Sequence, residues 1–219
     1  MSNPEQKTQE VIRLPDCRLS YLYAYRPYVG TNTEGKQASS YCVHALLDPN
    51  TPRGAANIRT AKDAINKVAV AAWGAQAGSV LQQLMQTDKL CLHNGDVTKM
   101  GEEAYAGKLY ISANHKVKPR VVVTRGGVIT EINSDDPCAP YSGCWGEVVV
   151  AIYAQGPNSK PSKWGKRVNA QFMGVQFLRH DEAFGGGRIA TPEEFGVAPT
   201  DADGAVPMTA PAGAGSGLL

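Results

Sequence analysis

The pattern that most limits this chain is an alternation of apolar and polar residues with a period of two, broken once by a stretch of helical period. In GKLYISANH, Leu109, Ile111 and Ala113 point one way, while Lys108, Tyr110, Ser112 and Asn114 point the other. Along EVVVAIYAQ and the residues just before it, Val148, Val150 and Ile152 share one side, and Trp145, Glu147 and Tyr153 share the opposite one. VIRLPDCRLSYLYAYRPY predicts a long strand interrupted near Pro15, with Cys17, Leu19, Tyr21, Tyr23 and Tyr25 on one face. SSYCVHALLDP predicts a second strand ended by Asp48–Pro49, and VVVT and RVNAQFMGVQFLR read as strands too. From about residue 55 to 85 the period lengthens: Ile58, Ile65, Val68 and Ala72 fall near helical spacing, and LQQLM resumes after Gly74–Gly78. Two helices broken by glycines are expected there, and His93–Asp96 reads as a β-turn. Five or more strands with one helical insertion predict a mainly β fold with inserted helices (α+β), arranged as a small, partly open barrel.

A chain of 219 residues suits one domain with appendages and buries about 70% of its unfolded surface, so no metal or disulfide staple is required. Residues 1–10 are polar and unpatterned and are expected to be disordered. Val197–Leu219 is rich in Ala, Gly, Pro and Thr without a single Lys or Arg, and is expected to be a flexible tail on a folded domain spanning 11–196. No run approaches 18 apolar residues, so no membrane span is expected, and the polar start argues against a secretory leader. Five scattered cysteines (Cys17, Cys42, Cys91, Cys138, Cys144) do not form a disulfide framework and point to a reducing, cytoplasmic setting.

The formal net charge of +2 says little by itself, but the cations are clustered. Residues 99–125 carry a local +4, and so do residues 155–188, while 126–154 holds only acids. Those basic stretches contain aromatics on polar strand faces, the combination that single-stranded nucleic acid needs: bases stack on rings and cations track phosphates. Tyr110 lies between Lys108 and the series Lys116, Lys118 and Arg120. Trp145 and Tyr153 offer further platforms, and the loop QGPNSKPSKWGKR sets Lys160, Lys163, Lys166 and Arg167 around Trp164 without an acid. The competing reading of each ring is a packing residue of an amphipathic strand. Tyr21, Tyr23 and Tyr25 are read that way, and Arg18 and Arg26 as solvent-exposed neighbours.

Enzyme signatures are poor. His44, His93, His115 and His180 are scattered, no cysteine pair has metal-ligand spacing, and neither a GxSxG elbow nor a GxxxxGK[ST] loop occurs. The GGGR run at Gly185–Arg188 reads as a flexible turn, and the carboxylate pairs as solvated loops. No catalytic site, metal or cofactor is expected.

RLSYLYAYRPY, LHNGDVTK, PYSGCWGEVVVAIYA and GVQFLRHDEAFGGGR, followed by Phe195, occur in that order. With these segments the chain, over roughly residues 11–196, resembles the phage single-stranded DNA-binding proteins of OB-fold type. Tyr21, Tyr141, Ser142, Gly143, Gly174, Val175, Gln176, Gly185 and Gly186 match the motifs and are read mainly as shaping the barrel. The resemblance implies an OB-fold, a partly open five-stranded antiparallel barrel with a helical insertion. It also implies a non-catalytic protein that coats and protects single-stranded DNA, largely without sequence preference, in phage replication, recombination or repair. Its place would be the cytoplasm of the infected bacterial host. The DNA contacts named above come from exposure and charge, not from the resemblance. Proteins of this function often end in an acidic tail that recruits replication or recombination proteins. Here the tail has only Asp201 and Asp203 before an apolar Leu218–Leu219 tip, to which the same role is assigned. The oligomeric state is left open, a homodimer being one arrangement. A structural virion or assembly protein, and an RNA-binding OB protein, are the alternatives; salt-sensitive DNA affinity separates the first, and DNA–RNA competition the second.

Overall fold

Strand β1 (Gln9–Thr31) is long enough to cross the whole molecule, and three register shifts bend it as it goes. An extra residue in one strand leaves part of the ladder unpaired and increases the local twist, which is how one strand can turn a barrel corner. In the computed structural model, residues 9–31, 35–158, 162 and 164–184 are described. The expected flexible ends, residues 1–8 and 197–219, lie outside these. Gln9 and Glu10, expected in the N-terminal segment 1–10, pair instead with Tyr153 and Ile152 in the sheet.

β1 turns into β2 (Gln37–Leu47), which leads to helix α1 (Pro52–Trp73). Thr51 caps α1 by accepting the Gly54 N–H at 3.0 Å, with proline just inside the start. Gly54 is required by close approach, because a Cβ there would lie 2.0 Å from the Asp48 carbonyl oxygen. Ile58, Ile65 and Val68 are buried in one stripe as the helical period predicted, joined by Ala61 and Ala69, while Ala72 is only partly buried against the core. Asn57, 3% exposed, donates to the Pro15 carbonyl at 2.8 Å. It thereby satisfies a backbone group at the first bend of β1, where Asp16 has φ +54. The helix stops at Gly74, and α2 (Ala77–Gln86) follows after a single 3₁₀ turn.

The chain continues through β3 (Leu92–Asn94), the short helix α3 (Gly95–Thr98), β4 (Leu109–His115), β5 (Arg120–Arg125), β6 (Val128–Glu131), β7 (Trp145–Gln155) and β8 (Arg167–Arg179). HNGD is therefore a strand end feeding a helical turn, with the Asn94 side chain accepting the Asp96 N–H at 3.0 Å, and not a β-turn. The strand order is β3-β4-β2-β1-β7-β8-β5-β6. Within it β4-β2-β1-β7-β8 is the expected five-stranded OB arrangement, with β3, β5 and β6 added at its ends. Among the described residues the pairings are antiparallel except β5 with β8, which is parallel. β4 and β5, consecutive in sequence, sit toward opposite ends of the sheet, which curls until β4 contacts β8 yet stays open.

Leu14, Leu19, Leu47, Ile111, Val148, Val150, Ile152 and Phe172 fill the interior together with the α1 stripe. A second, smaller apolar cluster forms on the outer face of the sheet from Leu46, Tyr105 and Tyr110, with Ala104 and Phe184 against it. At the end of α1 the Trp73 indole N–H donates to the Gly156 carbonyl at 3.0 Å, and the Asn158 N–H donates to the Ala72 carbonyl at 3.2 Å. These bonds root the β7–β8 loop on the helix.

Candidate nucleic-acid interface

The second bend of β1 decides what the outer face displays. Leu19 and Ser20 are both buried, and Tyr21 adopts φ +46. The ladder to β2 slips between Ser20 and Tyr23. The alternation that would carry Tyr21 and Tyr23 to the same side as Cys17 and Leu19 is therefore reversed. Both rings emerge from the barrel, 41% and 37% exposed. Tyr25 stays packed against the core, with the Lys118 Nζ 6.0 Å from its ring centroid.

Tyr21 and Tyr23 line a groove of about 990 Å³, together with Arg18, Tyr105, Lys108, Trp145 and Phe184. Carboxylates of Asp16, Asp48, Glu102, Glu103 and Glu182 share its walls. Two of these are matched by cations from outside the walls: Asp16 by Arg179 and Glu102 by Lys99. The groove is thus an aromatic slot of mixed charge rather than a uniformly basic channel.

One wall is a strap, residues 181–184, laid against the segment before β7. Arg18 holds it: Nη1 pairs with the Asp181 carboxylate at 2.7 Å, Nη2 donates to the Glu182 carbonyl at 2.8 Å, and Nε donates to the Gly143 carbonyl. Phe184 packs 4.7 Å from the same guanidinium. The Tyr141 hydroxyl donates to the Asp181 carbonyl at 2.7 Å, and the Phe184 N–H donates to the Ser142 carbonyl at 2.9 Å. Asp181 also accepts the Trp145 indole N–H at 2.7 Å. That bond, the Glu182 N–H and the nearby arginines hold its carboxyl below the usual carboxylate range. The motif around Trp145 and the motif that follows β8 are therefore two halves of one contact. Arg18, expected to face solvent, is its centre.

The expected contact residues divide accordingly. Lys108 and Trp145 line the same groove. The Trp145 ring already carries Arg179 at 4.2 Å and Arg18 at 5.8 Å, so cations occupy stacking space that the sequence reading gave to bases. Tyr110 is corrected outright as an exposed platform, for it is 4% exposed. Its strand face is the predicted one, but the segment from β3 to Tyr105 folds over that face. His93 stacks on the ring at 5.0 Å, His44 lies at 4.7 Å, Tyr105 meets it edge-on at 5.1 Å, and Thr98 bonds the hydroxyl at 3.0 Å.

Tyr153 is half-buried at the far end of β7, opposite Gln9 and Asn169 and roughly 26 Å along the strand from Trp145 at 3.3 Å per residue. It does not share the groove. Lys116 and Lys118 are exposed on the β4–β5 connection and Arg120 at the start of β5, 3.6 Å from Glu131. In the β7–β8 loop Trp164 is 51% exposed and Lys166 reaches Asn158 at 3.2 Å, and Arg167 is exposed at the start of β8. Lys160 and Lys163 lie outside the described residues, as do Gly185–Arg188.

His44 sits among Tyr21, Tyr105 and Tyr110, with the Tyr105 hydroxyl 2.7 Å from its Nδ1. Burial, then the charges of Lys99 and His93, push its pKa down to about 3. An unfolded chain titrates this histidine near 6.5, so its contribution to stability is complete above that pH and is lost as the pH falls toward 3. Between pH 7.5 and pH 5 the protein is expected to lose about 2 kcal/mol through His44 alone. Urea unfolding at both pH values should show that loss in the wild type and a smaller one in His44→Gln.

A family model described as Enterobacter phage Enc34, ssDNA-binding protein, matches residues 10–206. Protein p50 of Acyrthosiphon pisum secondary endosymbiont phage 1 is 30% identical over 187 residues, which cover 84% of this chain and 91% of that one. Among solved structures, the single-stranded DNA-binding protein from bacteriophage Enc34 in complex with ssDNA superposes with a TM-score of 0.60 at 23% identity. That match covers 80% of this chain and 89% of the other. A second structure of the Enc34 protein gives 0.57 at 23% identity over 82% and 87%. At these identities the structural matches establish the shared fold.

Proposed function

Because the chain belongs to the family of the Enterobacter phage Enc34 ssDNA-binding protein, we propose that it coats and protects single-stranded DNA, largely without sequence preference, during phage replication, recombination or repair. It acts in the cytoplasm of the infected bacterium and makes or breaks no bonds in the DNA. The observation that carries this reading is the groove on the outer face of β1, where Tyr21 and Tyr23 stand partly exposed. Aromatic rings in a groove bind every base through its π-face, which gives affinity without sequence readout.

Phosphates are followed by cations at the margins: Lys108 at the groove, Lys116, Lys118 and Arg120 beyond β4, and Lys166 and Arg167 beside Trp164. Lys160 and Lys163 belong to the same loop in sequence. Trp145 forms part of the wall, and Tyr153 serves at most a DNA path that continues along β7. Residues 197–219, lacking any Lys or Arg, are poorly suited to hold phosphate and suit recruitment of replication or recombination proteins.

A titration of a labelled oligo-dT at two salt concentrations tests the function. Binding should weaken as salt rises, with a log–log slope of roughly −0.7 for each phosphate contact. Absence of binding at low salt would overturn the reading.

A further inference from the structure

Within the single-stranded DNA reading, we propose that Tyr21 is the principal base-stacking platform of the groove, fixed in place before DNA arrives. Among the described residues only Asp16, Tyr21 and Asp88 are non-glycine residues with positive φ. Aspartate tolerates that region through local hydrogen bonds; a tyrosine does not, and such strain persists only where the surroundings enforce it. The strained turn reverses the strand alternation and brings the ring out of the barrel into the groove.

The ring is also braced. Lys99 lies 4.1 Å from its centroid, and Glu102 pairs with Lys99 at 3.0 Å and accepts the Tyr21 hydroxyl at 3.3 Å. The His44 ring packs against it at a tilt of 43°, with centroids 5.0 Å apart. Lys99 lies outside the groove walls, unlike the wall residue Arg18 that flanks Trp145, so a base is placed on the groove side of the Tyr21 ring. A tyrosine kept only for packing would have no need to be both strained and 41% exposed. A ring immobilised in its bound pose loses little entropy when a base stacks on it.

Glycine adopts the Tyr21 backbone angle without strain, so Tyr21→Gly removes the ring while easing the turn. Folded Tyr21→Gly is expected to bind oligo-dT about 5- to 150-fold more weakly. Its salt slope should be unchanged, because no phosphate contact is lost, and Tyr21→Phe should bind within about threefold of wild type if stacking dominates. A folded Tyr21→Gly protein with wild-type affinity overturns the assignment. Should that variant fail to fold, ultraviolet cross-linking of the wild type to an oligonucleotide carrying 5-iodouracil decides the matter. Cross-links mapping to Tyr21 support it, and cross-links only elsewhere overturn it. Wild type that binds beside an unaffected variant leaves the functional reading standing; wild type that binds no DNA removes both.

Discussion

Replacing Trp73 by alanine is expected to destabilise the fold by about 3–5 kcal/mol, the usual cost of emptying a large aromatic site in a core. Trp73 is 1% exposed and among the largest fully buried side chains. It closes the last turn of α1 against the barrel. Its indole N–H is bonded to Gly156 at 3.0 Å, so truncation leaves a carbonyl in the loop root unpaired as well as a void. Lys166, 5.7 Å from the ring, loses its support at the same time. A melting temperature lower by roughly 6–20 °C is the corresponding thermal shift for a chain of this size. Trp73→Phe keeps most of the volume and loses the bond, so it should fall between. A Trp73→Ala protein with an unchanged urea midpoint would show that α1 is not docked through this residue.

The second large effect is expected at Gly143. Its φ is +112, where a side chain is strained, and a Cβ would lie 2.2 Å from the Glu182 oxygen and 2.7 Å from the Phe184 nitrogen. Strain and overpacking together should cost Gly143→Ala about 2–6 kcal/mol. The neighbour that has to yield is backbone of the strap, so relief comes by its release from Arg18. Limited proteolysis should then cut the variant within residues 181–184 well before the wild type, alongside a lowered melting temperature. Equal digestion and equal melting would refute the seating of the strap on Gly143.

The barrel was readable because β4 and the interior face of β7 keep their phase. Leu109, Ile111 and Ala113, and likewise Val148, Val150 and Ile152, point where a period of two puts them, and the α1 stripe follows from helical spacing. β1 defeats the same reasoning. Its bends at Asp16 and Tyr21 each change the parity, and although aspartate tolerates a positive φ, a tyrosine does not announce one. Tyr21 and Tyr23 were consequently assigned to the packing side while they line the groove.

Tyr110 fails for a different reason. Its strand face was predicted correctly, but a sequence of turns, LHNGDVTKMGEEAY, covers it, and alternation carries no information about what lies on top of a sheet. The strap was out of reach as well, since Arg18, Gly143 and Asp181 are joined by no local pattern. The one signal available was that two of the segments carrying the resemblance, PYSGCWGEVVVAIYA and GVQFLRHDEAFGGGR, each set glycines and acids beside aromatics. In the structure they meet.

The pairing of β1 with β7 has a consequence for how the protein is made. The later half of β1 can zip onto β2 as a local hairpin as soon as both exist. Its first half, Gln9–Cys17, pairs only with Tyr153–Gly146. Those partners are synthesised about 130 residues later, roughly 7–26 s at about 5–20 residues per second. Throughout that interval Ile12, Leu14 and Cys17 lie along an unpaired strand edge, the kind of template on which chains associate wrongly. The first strand to leave the ribosome is among the last to find its place.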